Sequence, residues 1–425
     1  MNTYNHEQIP RLKEIIKFPI HIILLYIFIF QPPIISRTEY FIGELLIFIF
    51  FVTFKPHMVG EILKYFKWEL KFLILILIYS MLRDLYSGSV VFVFKMLSFL
   101  FQSFIFSSLI VSLNYNKKES KYISPNLIAI SFWVVILAGF LSIILLTNHN
   151  IYNYYDSIII HNDNERVINS LVYRGFGVAE NLTFTYSYLL GFFVGYIFYF
   201  MKSTYAYLLL IPLLLMSIVI NARIGFIPIF VFLFLLLFKK DNFNNILRIV
   251  IFSIILIIII PKMSFFKYFL INKDWISAFF IDFYNIFTNS AVSMRGESTI
   301  NTIFTNFIIL PKNISEWLFG TGRNLFLGQV EGNSDLGFIT QLFYGGISFM
   351  ILLFLFLFFI FRRLVSYYGA KYWFTIIFIV SLIILNIKGN IFTTTPGSRF
   401  FLLIYIYLIY SAKKYNSEIT IESTI

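Results

Sequence analysis

Four arginines and two carboxylates stand out in a chain that otherwise leaves little room for charge. Arg174 lies in YRGFGVAEN beside Gly175 and Gly177, and Arg223 interrupts two apolar segments in NARIGF. Arg295 and Glu297 share the stretch MRGEST, Arg323 closes the glycine-rich FGTGR, and Asp335 follows in GNSDLGF. A guanidinium keeps its charge, and its planar fork meets two phosphate oxygens at once. Neighbouring glycines let backbone amides approach an anion closely. A carboxylate within reach of a hydroxyl can take its proton. Together these residues suit the binding of a phosphorylated group and the activation of an alcohol. Asp335 and Glu297 are the candidate bases, with Glu331 behind them. Plainer roles exist for several. Arg174 would serve equally as an interfacial residue reaching lipid headgroups, Arg223 as the anchor of a tight hairpin, and Asn333 or Ser334 as a simple helix cap. For Arg223 the functional role is favoured, because an arginine costs about 2.5–3.5 kcal/mol at the centre of a membrane helix and less near an interface.

Other chemistries are excluded or weakly supported. The 425 residues include no cysteine, so there is no thiolate nucleophile, disulfide or Cys-ligated metal. His149, His161, Asp163 and Glu165 cluster in sequence, but their spacing fits no metal motif. No phosphate-binding GxxxxGK[ST] occurs, and no GxGxxG follows a strand. The residues call for no cofactor and no metal.

The elements that must position these residues are membrane helices. Hydrophobic residues make up 59% of the chain and charged residues only 13%, about half the usual share for a soluble domain. Apolar segments fall near 18–31, 40–54, 72–82, 90–113, 126–147, 182–201, 204–221, 224–238, 246–260, 337–361, 372–387 and 398–412. Most approach the length needed to cross a hydrocarbon core of about 30 Å. The expected fold is an all-α polytopic membrane protein of about twelve transmembrane helices, forming a single integral membrane domain over 1–425. The basic start (Arg11, Lys13, Lys17) precedes an apolar segment without a small-residue cleavage site, and so reads as a first membrane helix.

Charge sets the expected topology. Alternate connections carry Lys55, Lys64, Lys67 and Lys71; Lys117, Lys118 and Lys121; Lys202; Lys239, Lys240 and Arg248; Arg362, Arg363 and Lys371; and Lys413 and Lys414. With the N-terminus they account for almost all of the formal net charge of +12. That is a positive-inside pattern, with both termini cytoplasmic, and no nucleic-acid partner is needed to explain it. The long connections 148–181 and 261–336 then face outward. The second should hold an interfacial aromatic stretch, a short helix beginning at Arg295 and ending before Pro311, and the glycine-rich turn with Arg323. Lys388 and Arg399 join the outer face, and Lys95 and Glu44 lie inside apolar segments where they could pair. A site shared by this loop with Arg223 and Arg174 is the expectation.

The stretch from Arg295 through FGTGR to SDLGF and Gly345-Gly346 resembles the late outer loop of Wzy-type polysaccharide polymerases, the O-antigen or oligosaccharide repeat-unit polymerases. NARIGF at 221–226 resembles the arginine-bearing helix break of that family and of the related O-antigen ligases. The resemblance implies a metal-independent, GT-C-like glycosyltransferase in the bacterial inner membrane. It would act outside, moving a glycan from undecaprenyl diphosphate onto the next lipid-linked repeat unit. By motif position it places Arg223 and Arg295, and less directly Arg174, at the diphosphate, and Arg323 of the glycine-rich turn is a further candidate for the same group. The lipid bilayer and undecaprenyl-diphosphate-linked oligosaccharides are the implied partners, and a chain-length regulator is the protein partner such a role would leave room for. The ligases carry a histidine in the large loop, whereas residues 261–346 contain none, which favours polymerase over ligase. A flippase of lipid-linked oligosaccharides is the rival of another class, but the two halves of this chain show no repeat.

Overall fold

The computed structural model describes residues 19–115, 126–158, 178–179, 184–200, 210–221, 223–237, 309–323, 325, 334, 336–368, 373–390 and 392–422. Among these the regular structure is helical throughout, with no strand. Two helical stretches, Val91–Leu113 and Gly337–Tyr368, are long and apolar enough to cross a membrane. A third candidate is the pair Arg37–Phe54 and Pro56–Tyr65, bent by 104°. The described fold is thus all-helical with apolar helices, compatible with the expected helical membrane protein, while a count of twelve spans goes beyond these candidates. Helices do coincide with the apolar segments wherever residues are described; the segment 246–260 lies outside them.

The chain divides into two compact units. The first combines Met1–Gln31, Ser36–Val134 and Ile308–Ile425. Its helices are α1 (Pro19–Phe30), α2 (Arg37–Phe54), α3 (Pro56–Tyr65), α4 (Lys67–Ser87), α5 (Val91–Ser98) and α6 (Phe106–Tyr115). Then come the start of α7 (Asn126–Thr147), the short α12 (Ile314–Phe319), α13 (Gly337–Tyr368), α14 (Trp373–Lys388) and α15 (Pro396–Glu422). Helix α15 is the shaft of this unit: every residue from Thr395 to Ala412 is buried. Its run FFLLIYIYLIY has no polar face, so burial on all sides is the stable arrangement. A π-helical stretch, Phe99–Ile105, joins α5 to α6. The wider turn brings Ser103 against α15, where its hydroxyl lies 3.3 Å from that of Ser398.

Helix α4 runs well beyond the apolar segment 72–82 read from the sequence. Charge at both ends hid its true length. Glu69 is fully buried in an ion pair with Arg363, and Asp84 is buried in hydrogen bonds from Tyr344 and Val93. Once paired, those residues no longer end the buried helix.

The second unit covers Pro32–Ile35 and Val135–Phe307. It contains the rest of α7, α8 (His149–Ile158), α9 (Phe184–Phe200), α10 (Leu210–Asn221) and α11 (Phe226–Leu237). Helix α9 forms its middle, with all residues from Thr185 to Gly195 buried. Ser187 meets Ile218 on α10, while Gly191 meets Pro228 and Gly195 meets Phe232 on α11. The chain therefore comes up along α9 in one direction, turns, and returns along it in the other.

Candidate functional site

The turn between α10 and α11 is the NARIGF break, folded as a single 3-10 turn over Arg223–Gly225. Asn221 ends α10 by donating from Nδ2 to the Ser217 carbonyl at 2.8 Å. The turn is pressed onto α9, and Gly225 makes that approach possible. A Cβ there would stand 2.5 Å from the Ser187 carbonyl oxygen, and one at Gly191 only 1.6 Å from the carbonyl oxygen of Gly225. Beneath it lies a buried hydroxyl cluster. The hydroxyls of Ser142 and Ser217 are 2.6 Å apart, and Tyr186 donates to the Ala138 carbonyl at 2.7 Å. Arg223 thus opens a fixed turn at the N-terminus of α11, the end of a helix that attracts anions.

In the first unit the glycine-rich motif is a bracket rather than a loose loop. Helix α13 breaks at Gly346, which takes φ 69° and ψ −170°. The break frees carbonyls that an unbroken helix would occupy, and each finds a donor. The Phe343 carbonyl accepts from Thr321 N at 2.8 Å and from its hydroxyl at 3.0 Å. The Tyr344 carbonyl accepts from Gly322 N at 2.8 Å, and the Gly345 carbonyl from the Tyr79 hydroxyl at 2.7 Å. Arg83 donates to the Gly320 carbonyl. FGTGR is therefore tied at once to the kink of α13 and to the end of α4.

Behind the bracket Asp84 holds two elements. One carboxylate oxygen accepts from Val93 N at 2.8 Å, capping α5; the other accepts from the Tyr344 hydroxyl at 2.8 Å. Tyr344 also reaches the Ser80 carbonyl at 2.9 Å, and its ring stacks on Phe92 with centroids 3.8 Å apart. In front of the bracket Arg323 is exposed. With Ser87, Gly88, Ser89, Val90 and Val91 it lines an open groove of about 390 Å³. One guanidinium and two serine side chains suit an oxyanion or a sugar hydroxyl. The sequence reading found Arg323 but missed its neighbours. The available signal was RDLYSGSV, a charged pair and a Ser-Gly-Ser turn at the end of an apolar segment.

Of the other sequence candidates, Arg174, Arg295, Glu297, Glu331 and Asp335 lie outside the described residues, as does Asn333. Arg223 belongs to the second unit and Arg323 to the first. The Ser334 hydroxyl accepts from Leu336 N at 3.3 Å, just ahead of α13. Glu44 accepts from the Gln31 amide at 3.0 Å, and Arg37 and Asp84 are among the charges that act on Lys95. Arg399 is not an ordinary helix-end residue. It is fully buried and donates from Nη1 to the carbonyls of Phe28 and Ile29, at 3.2 and 3.0 Å. A cation at the C-terminal end of α1 is well placed in that helix's dipole. No group of three potential metal ligands occurs among the described residues.

A second polar layer lies at the opposite end of α4. Arg363 pairs with Glu69 and donates to the Tyr65 carbonyl, its guanidinium 5.3 Å from the Phe66 ring centroid. Tyr405 donates to Glu69, and Tyr410 to Glu61 at 2.6 Å. Lys413 donates to the Tyr65 carbonyl at 3.0 Å. Burial lowers the pKa of Lys413 to about 8, and the nearby charges of Arg363 and Lys64 add to the effect.

Compared with known protein families, curated proteins and solved structures, the chain matches none.

Proposed function

We propose that this chain is a membrane-embedded glycan polymerase that joins lipid-linked oligosaccharide repeat units on the outer face of a bacterial inner membrane. The observation that carries the reading is a pair of arginine-bearing turns, each immobilised by glycine packing. Arg223 sits in the break pinned on α9, and Arg323 follows the bracket pinned on the α13 kink. Cations carried on immobilised turns suit a leaving diphosphate, because the backbone that bears them needs no reorganisation as its charge develops.

In this mechanism an acceptor sugar hydroxyl attacks the anomeric carbon of the donor glycan. The C–O bond to undecaprenyl diphosphate breaks, and the electron pair leaves with the diphosphate. Arg223 and Arg295 stabilise that charge, and Arg174 and Arg323 are further candidates for binding the diphosphate. Asp335 or Glu297 takes the hydroxyl proton. The serine-lined groove beside Arg323 would receive polar groups of the same substrates.

The test is purified protein supplied with synthetic undecaprenyl-diphosphate repeat units, read as a ladder of products. Arg223→Ala and Arg295→Ala should keep normal expression and lose the ladder. A ladder of full length from either variant would remove that residue from the mechanism, and a single transfer without a ladder would select the ligase reaction instead. Activity that collapses with a chelator and returns with a divalent ion would overturn the metal-independent step.

A further inference from the structure

Helix α3 turns 104° away from α2 at Lys55. If α2 crosses the bilayer, α3 therefore runs nearly along its surface. Helix α4 then departs from the joint at Phe66. Its exposed stripe is apolar over most of its length: Ile74, Leu75, Ile78, Leu82 and Leu85. Such a stripe suits hydrocarbon. Towards the α3 joint its composition changes abruptly to exposed Trp68 and Lys71, then Lys67 and Lys64, with Lys55 and the exposed Phe54 at the other end of α3.

The acids of this corner are already engaged. Glu69 is buried with Arg363, and Glu61 accepts from Tyr410. Among the described residues no ion pair involves Lys55, Lys64, Lys67 or Lys71. The ammonium of Lys71 lies 4.6 Å from the Trp68 ring centroid. The corner is thus a cationic surface beside an apolar stripe, with an indole at the boundary between them. Indoles favour that level of a bilayer, and lysines beyond it meet the headgroups.

We infer that Lys64, Lys67 and Lys71, with Trp68, form a docking site for the headgroups of anionic phospholipids. The occupant is lipid rather than an acidic protein because the lysines continue a stripe that only acyl chains would cover. An anionic surface attracts each such lysine with about 1 kcal/mol, a factor of roughly five in partition. Three lysines together are worth on the order of a hundredfold, and the preference weakens with salt. The inference depends on membrane insertion and not on the proposed glycan chemistry.

The experiment uses the full chain with Trp68 as its only tryptophan, Trp133, Trp275, Trp317 and Trp373 being replaced by phenylalanine. It is reconstituted into phosphatidylcholine vesicles containing a minor fraction of brominated phosphatidylglycerol or, separately, brominated phosphatidylcholine. Trp68 fluorescence should be quenched more strongly by the brominated phosphatidylglycerol. K64Q/K67Q/K71Q should abolish that difference while keeping the quenching by phosphatidylcholine. A parallel measurement on the otherwise unaltered chain guards against loss of folding in the single-tryptophan variant. Added phosphatidylglycerol should raise its thermal midpoint in detergent more than phosphatidylcholine does, and the triple glutamine variant should lose this response. Equal effects of the two lipids, or a phosphatidylglycerol preference that survives the triple substitution, would overturn the inference. So would a Trp68 that neither lipid quenches, as when an acidic protein covers the corner.

Discussion

Glu69 and Arg363 are 294 residues apart in the chain and form a buried ion pair. Removing one partner leaves the other charged in a poor solvent, a loss of about 3–5 kcal/mol for pairs of this kind. Arg363→Leu should therefore lower the thermal midpoint of the detergent-solubilised protein sharply. The double variant Glu69→Gln/Arg363→Leu should recover much of that loss, because no lone charge remains. A single variant as stable as the parent would show that the pair is solvated. Arg323 stands at the other extreme. It is exposed, and among the described residues only its backbone N–H is tied down, to the Thr321 hydroxyl at 3.1 Å. Arg323→Ala should change stability by no more than about 0.5 kcal/mol while reducing polymer formation from lipid-linked repeat units. Unfolding curves and product ladders measured on one preparation separate the two effects.

The kink of α13 and the bracket of FGTGR depend on each other. Gly346 occupies backbone space that residues with side chains avoid at a cost of about 1–3 kcal/mol. A Cβ at this position would also come within 2.5 Å of Gly320 N and of the Leu318 carbonyl. Gly346→Ala should loosen the bracket, and the backbone amides of Thr321 and Gly322 should then exchange hydrogen faster while those of α15 keep their protection. Unchanged exchange at Thr321 and Gly322 would mean that the bracket is held without the kink. The break at Arg223 is comparable, because Gly225 has no room for a side chain against Ser187. These two turns were legible in the sequence as glycine next to arginine between apolar runs. Their rigidity was not, since it comes from carbonyls and helix faces distant in the chain.

Across the first unit, polar side chains gather in two layers at opposite ends of α4. Glu69 and Asp84 mark these layers, about 22 Å apart at 1.5 Å rise per residue. One layer joins Glu69 to Arg363 and Tyr405, and Arg363 to Tyr65; the other joins Asp84 to Tyr344, and Arg83 to Gly320. The first layer draws on three helices, α4, α13 and α15. Lys413 belongs to the first layer, and its pKa of about 8 in the folded protein lies below the ordinary 10.5. The unfolded chain then binds more protons than the folded one between those values, so stability should rise with pH across that window. Lys413→Met should flatten the rise, which thermal midpoints measured from pH 8 upward would register; identical profiles would exclude a contribution from Lys413.

The sequence by itself determined the helical class, the place of the apolar helices among the described residues and the alternation of charge, because length, apolarity and lysine placement are local properties of a chain suited to a membrane. It also marked Arg223 and Arg323 as cations beside glycines. Only the tertiary structure decided that α4 continues past its charged residues, that Arg399 is fully buried against the end of α1, and that Ser87 and Ser89 share a groove with Arg323. The physical reason is the same in each case. A charged or polar residue ends a helix, lies buried or faces a groove according to the partner that desolvates or neutralises it, and those partners come from segments hundreds of residues away.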